Sequence, residues 1–125
     1  LLAGAGELAA GADQVADVLF VGQIVQGAGG GDIRTLALDV RGRMPADRPA
    51  AVFLIGVQDD KPAVVAVVND AGTAAGVSAN DLVRSAATLL GGKGGGKNDV
   101  AQGGGTDASR VSDALDAVRG QLAVR

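Results

Sequence analysis

The chain contains no cysteine, histidine, tryptophan or tyrosine among its 125 residues, and only two Phe, one Met and three Pro. Without cysteine there is no disulfide frame and no thiol chemistry, a pattern consistent with a cytoplasmic location. Without histidine, the commonest metal ligand and the commonest general base near neutral pH are both missing. The scarcity of aromatics leaves no stacking platform and hands the core to small aliphatic side chains. No apolar run is long enough to span a bilayer, so no membrane partner is expected. Leu1-Leu2 lacks the basic leader of a signal peptide, and the start without Met reads as a fragment of a longer protein. The formal net charge of −3 makes no global electrostatic case for nucleic acid, so such binding must rest on a local patch.

What is present is a hydrophobic fraction of 47% and 21 glycines, enough chain for one domain with a real core. Residues 1–14 read as a short Ala-rich helix, with Leu2, Leu8 and Ala9 for packing, and as the tail of an upstream helical region. Residues 15–125 form the globular part. The β-branched run over 15–25 predicts a strand, and 26–31 a glycine loop. Asp32 is the predicted N-cap of a helix with the stripe Ile33, Leu36, Ala37, Val40 and Met44, ended by Pro45. Two apolar runs, 50–57 and 62–68, predict an antiparallel hairpin with a moderately long turn at 58–61. Residues 69–76 read as a loop or one helical turn. Ser78 to Asp81 has the form of a capping box opening a helix that Gly91 ends. Thr106 or Asp107 caps a last helix carrying Val111, Leu115, Val118 and Leu122 at helical spacing. The expected class is α/β: a small mixed β-sheet covered by helices, with a glycine-rich loop between the last two helices.

That loop, Gly91 to Gly105, places Lys93, Lys97, Asn98, Asp99, Val100, Ala101 and Gln102 between glycine clusters. Such crowding lets another backbone or a ligand come close, and successive N–H groups can form an anion nest. Gly91 to Asn98 approaches a nucleotide-binding P-loop but ends in Asn where Ser or Thr would hold magnesium, and it follows a helix instead of a strand. Gly27 to Asp32 lies between a strand and a helix, but Asp32 stands at the third glycine of a dinucleotide fingerprint, so a turn is the better reading. Asp59-Asp60 and Asp113 with Asp116 are carboxylate pairs on a turn and a solvated helix face; with no histidine anywhere, neither predicts a metal or catalytic site. No catalytic and no metal-binding residue is expected.

The order Lys97, Asp99, Val100, Ala101, Gln102 and Gly103 to Gly105 after a glycine run resembles the glycine-rich signature of the C-terminal, DHHA1-type domain of alanyl-tRNA synthetases. Asn98 stands where proline is expected. The resemblance implies a non-catalytic domain that holds the elbow of tRNA(Ala), where the D- and T-loops meet, and helps link aminoacylation with editing. It implies a parent alanine–tRNA ligase using ATP, Mg and Zn, with no cofactor in this fragment. It also implies the parent's other domains, and a homodimer, as partners. By motif position the tRNA-binding candidates are Gly92, Lys93, Gly94, Gly95, Gly96, Lys97, Asn98 and Gln102; charge placement adds Arg34, Arg41 and Arg84. Recognition of folded RNA by shape needs no aromatic platform. Two alternatives stand beside this: a dimerisation module of the synthetase, and the substrate-binding domain of a DHH-type phosphoesterase. The latter proteins carry histidine after the glycine run, where this chain has Lys97.

Overall fold

The two longest apolar runs lie side by side at the centre of the computed structural model, which describes residues 5–124. They form β3 (Ala50–Gln58) and β4 (Lys61–Val68), paired antiparallel from Gln58↔Lys61 to Ala51↔Val68. Alternation sends Ala51, Phe53, Ile55, Val64, Ala66 and Val68 to one core cluster. Their neighbours Ala50, Val52, Leu54, Val65 and Val67 enter the other. Burial on both faces is why these strands read as unbroken apolar runs. Their connection is tighter than the sequence suggests. Asp59 and Asp60 alone make the reversal, at φ 53° and 61°, the signature of a two-residue hairpin turn.

β2 (Val18–Gln26) runs parallel to β3, and α2 (Gly30–Arg43) makes the crossover between them. The predicted strand over 15–25 is broken near its start. Ala16, at φ 53°, reverses the chain, so Val15 falls in a short β1 (Asp13–Val15) antiparallel to β2. Ahead of it, α1 (Ala5–Ala10) sets Leu8 and Ala9 against the cluster under α2; Leu2 lies outside the described residues. The N-cap of α2 is Gly29, not Asp32. Asp32 instead occupies the first turn, where its carboxylate complements the helix dipole. Ile33, Ala37, Val40 and Met44 are buried, and Leu36 packs against them half-exposed.

Residues 70–74 form a short helix, α3 (Asp70–Ala74). The Asn69 side chain organises its surroundings: its oxygen accepts from Gly72 N–H at 2.8 Å and Ala50 N–H at 3.0 Å, and its nitrogen donates to the carbonyls of Arg48 at 2.7 Å and Pro45 at 3.2 Å. The next helix, α4 (Ala79–Leu89), is capped by Ser78, whose hydroxyl accepts from Asp81 N–H at 3.4 Å. Leu82, Val83, Ala86 and Leu90 are buried beneath it, and Gly91 at φ 73° terminates it.

The glycine-rich segment between the last two helices joins the sheet. Lys93–Gly96 (β5) and Val100–Gly104 (β6) pair antiparallel, and β6 pairs with β4. The six strands stand in the order β1-β2-β3-β4-β6-β5, which leaves β5 as an open edge. Asp107 then caps a 3₁₀ turn (Ala108–Arg110), its carboxylate accepting from Ser109 N–H at 3.1 Å, before α5 (Val111–Ala123). Ala114, Val118 and Leu122 form its buried face, with Val111 and Leu115 half-buried. α4 and α5 cover one face of the sheet, α2 and α1 the other. Both Phe lie in the core, Phe20 and Phe53. The result is the small mixed sheet covered by helices that the sequence predicts.

Candidate functional site

The β5–β6 hairpin is built by backbone proximity. A Cβ on Gly103 would lie 2.7 Å from Gly94 Cα and 3.0 Å from Val83 Cγ1, and one on Gly94 would lie 2.7 Å from Gly103 Cα and 2.6 Å from Val83 Cγ1. The glycines thus let two strands and α4 pack closer than side chains allow. The connecting residues are each tied down. Lys97 N–H donates to Val100 O at 2.9 Å, Asn98 O accepts from Ala79 N–H at 2.8 Å, and Asp99 O accepts from Val68 N–H at 2.8 Å. The Asn98 side chain accepts from the Ser78 hydroxyl at 3.1 Å. The segment is a pinned hairpin, and most of its glycine Cβ positions are filled by the protein's own atoms.

Around this hairpin the candidate residues other than Asn98, which is held by Ser78 and Ala79, fall into three recesses. On the α2 face, Arg34, Gly95, Gly96, Lys97 and Gln102 line a cavity of ≈ 300 Å³, together with Asp99, Val100 and Ala101. Arg34 Nη1 donates to Gln102 Oε1 at 3.4 Å, bringing residues 68 positions apart into one site. On the α4 face, Arg84, Thr88, Gly92, Lys93 and Gly94 line a second cavity of ≈ 290 Å³. Arg41 belongs to neither. It donates to Val68 O at 3.4 Å and lines a third recess of ≈ 290 Å³ whose lining also includes Asn69 and the carboxylates of Asp70 and Asp99.

The sequence therefore names most of the lining residues but not their partition by the sheet. It misses Thr88, which shares the outer face of α4 with Arg84 at i+4 spacing. It also misses Asn80, whose side-chain oxygen accepts from Gly96 N–H at 3.1 Å on the open edge. The carboxylate pairs have other duties. Asp59 and Asp60 form the hairpin turn, and Asp113 pairs with Arg110 at 3.3 Å. Among the described residues no three His, Cys, Asp or Glu side chains are grouped to hold a metal ion, and no helix is long and apolar enough to cross a membrane.

With this geometry in view, comparison with known families is decisive: the model of the DHHA1 domain matches residues 17–123. The chain belongs to the DHHA1 domain family. Among curated proteins, the DHHA1 domain described here is 60% identical over 122 residues to the alanine–tRNA ligase of a Nocardioides species, covering 98% of this chain and 14% of that protein. It is 46% identical over 118 residues to the alanine–tRNA ligase of Streptomyces avermitilis, covering 94% of this chain and 13% of that protein. The chain thus spans about one seventh of the length of these relatives. Among solved structures, the C-Ala domain of Aquifex aeolicus alanyl-tRNA synthetase matches with a TM-score of 0.79 at 26% identity, over 90% of this chain and 97% of that one. RecJ from Thermus thermophilus shares the fold, with a TM-score of 0.62 at 23% identity over 97% of this chain and 17% of that one.

Proposed function

We propose that this DHHA1 domain is the non-catalytic tRNA-binding C-terminal domain of an alanine–tRNA ligase. In this reading it holds the elbow of tRNA(Ala) and helps link aminoacylation with editing. The observation that carries it is the recess in which Arg34, Lys97 and Gln102 surround the bare backbone of Gly95 and Gly96. Two cations and an amide beside exposed glycine backbone suit a sugar-phosphate chain, whose recognition needs charge and close approach. The absence of Trp and Tyr and the burial of both Phe fit recognition by shape rather than by base stacking. The 60% identity to an alanine–tRNA ligase supports the parent enzyme. That parent works in the cytoplasm and uses ATP, Mg and Zn in its other domains, which are this domain's covalent partners. Arg41 shares its recess with two carboxylates, Asp70 and Asp99, where the Arg34 recess has Asp99 alone, and so contributes less than Arg34.

The test compares binding of this chain to intact tRNA(Ala), to an RNA hairpin without the elbow and to unstructured RNA, across a salt series. The expected result is tightest binding to intact tRNA, with log K falling linearly against log salt. Equal and weak binding to all three RNAs overturns the reading.

A further inference from the structure

We propose that the recess between α4 and the start of β5 is a second phosphate-binding subsite, which takes a different sugar-phosphate segment of the same folded RNA from the one held beside Arg34 and Lys97. This rests on the RNA-binding function proposed above. Arg84 projects from the exposed side of α4, and Lys93 is the first residue of β5, just beyond the reversal at Gly91. The two meet at one cavity of ≈ 290 Å³ whose lining contains no acidic residue.

Arg84 is the one arginine among the described residues whose guanidinium has no partner. Arg43, Arg110 and Arg119 pair with carboxylates at 3.1, 3.3 and 3.1 Å, and Arg41 shares its recess with Asp70 and Asp99. Lys93 likewise makes no ion pair or side-chain hydrogen bond among the described residues. Two like charges lining one cavity without a counter-ion repel each other, and a bound anion relieves that repulsion. A backbone donor is aimed the same way. Lys97 and Val100 form a hydrogen-bonded pair, so by strand alternation Gly94 turns its N–H away from β6 toward the open edge. The Thr88 hydroxyl donates to Arg84 O at 2.9 Å and adds no charge to the wall. With Ala87 and glycine as the rest of the wall, nothing there stacks on or reads a base.

The two recesses open on opposite faces of the sheet. Val100, packed with the α2 cluster, borders one, and α4, packed with the other cluster, forms the wall of the second. Between them stands β5, four residues of which three are glycine. Such a thin edge fits between two strands that the fold of one RNA holds side by side. Contact on both faces of this edge favours an RNA whose fold holds two segments side by side over a single extended strand.

The experiment uses Arg84→Gln with Lys93→Gln, Arg34→Gln with Lys97→Gln, and the fourfold variant, each checked for retained secondary structure by circular dichroism. Binding to intact tRNA(Ala) is measured across a salt series, with hydroxyl-radical footprints of each complex. Each pair is expected to lower the salt slope by about two and the fourfold variant by about four. Each pair is also expected to erase protection from a different RNA segment. If the Arg84/Lys93 variant keeps affinity, slope and footprint while the Arg34/Lys97 variant loses them, the second subsite is wrong and RNA binding stands. If both pairs erase the same segment, the two-sided arrangement falls. If neither pair changes anything, RNA binding by this hairpin falls with it.

Discussion

The β3–β4 and β5–β6 hairpins share one sheet, yet the first is made of Val, Ala, Leu, Ile and Phe and the second largely of Gly, Lys and Gln. The central hairpin is buried on both faces, and its cohesion comes from removing side chains from water. The outer hairpin buries little of its own. It is held by backbone pairing, by close approach to α4 and by three ties on its connecting residues. The contrast shows how a fold can keep a stable centre and still present bare, well-fixed backbone at one edge. Side chains on these glycines would push the two strands and α4 apart, so the close approach that fixes the outer hairpin is also what keeps its backbone bare.

Breaking the central hairpin should have the largest effect. Phe53→Ala removes a fully buried ring and should cost about 3–5 kcal/mol, read by chemical denaturation. In the outer hairpin the damaging change is an addition. Gly103→Ala places a methyl group 2.7 Å from Gly94 Cα and 2.9 Å from Lys93 O, and should cost about 1–3 kcal/mol. Amide exchange should rise in β5, β6 and the adjoining part of α4 while β3 keeps its protection; equal loss in β3 would erase the distinction between the two hairpins. The same substitution elsewhere should have the opposite sign. Gly120→Ala in α5 meets nothing within 4 Å and should raise stability by up to about 1 kcal/mol, seen as a small increase in Tm.

The parts of the fold legible in the sequence are those where side chains report burial. The runs at 50–57 and 62–68, the stripe Ile33, Ala37, Val40, and the cap at Ser78 all carry such signals, and the structure uses them. β5 and β6 were not legible because glycine has no side chain to alternate; a strand of Lys-Gly-Gly-Gly looks like a loop. The reversal at Ala16 was hidden because alanine is an uncommon choice for φ 53°. Asp32 gave a correct sign of a helix start but the wrong position, since Gly29 leaves the terminus without a side-chain cap. At the site, residue types could be named from the motif and the charges. Their division between two faces depends on β6 crossing back to pair with β4, a long-range choice that no local spacing records.

The strand order also has a meaning in time. Residues 13–68 supply β1 through β4 as four adjacent strands, together with α2 over one face. Lys93 to Gly104 joins at the outside of this group, and α5 then packs beside α4 on the other face. On a ribosome, which releases a chain from its N-terminus, the half-sheet is synthesised before any residue of the outer hairpin. The edge proposed to meet RNA is laid down late, against a template whose register is already set.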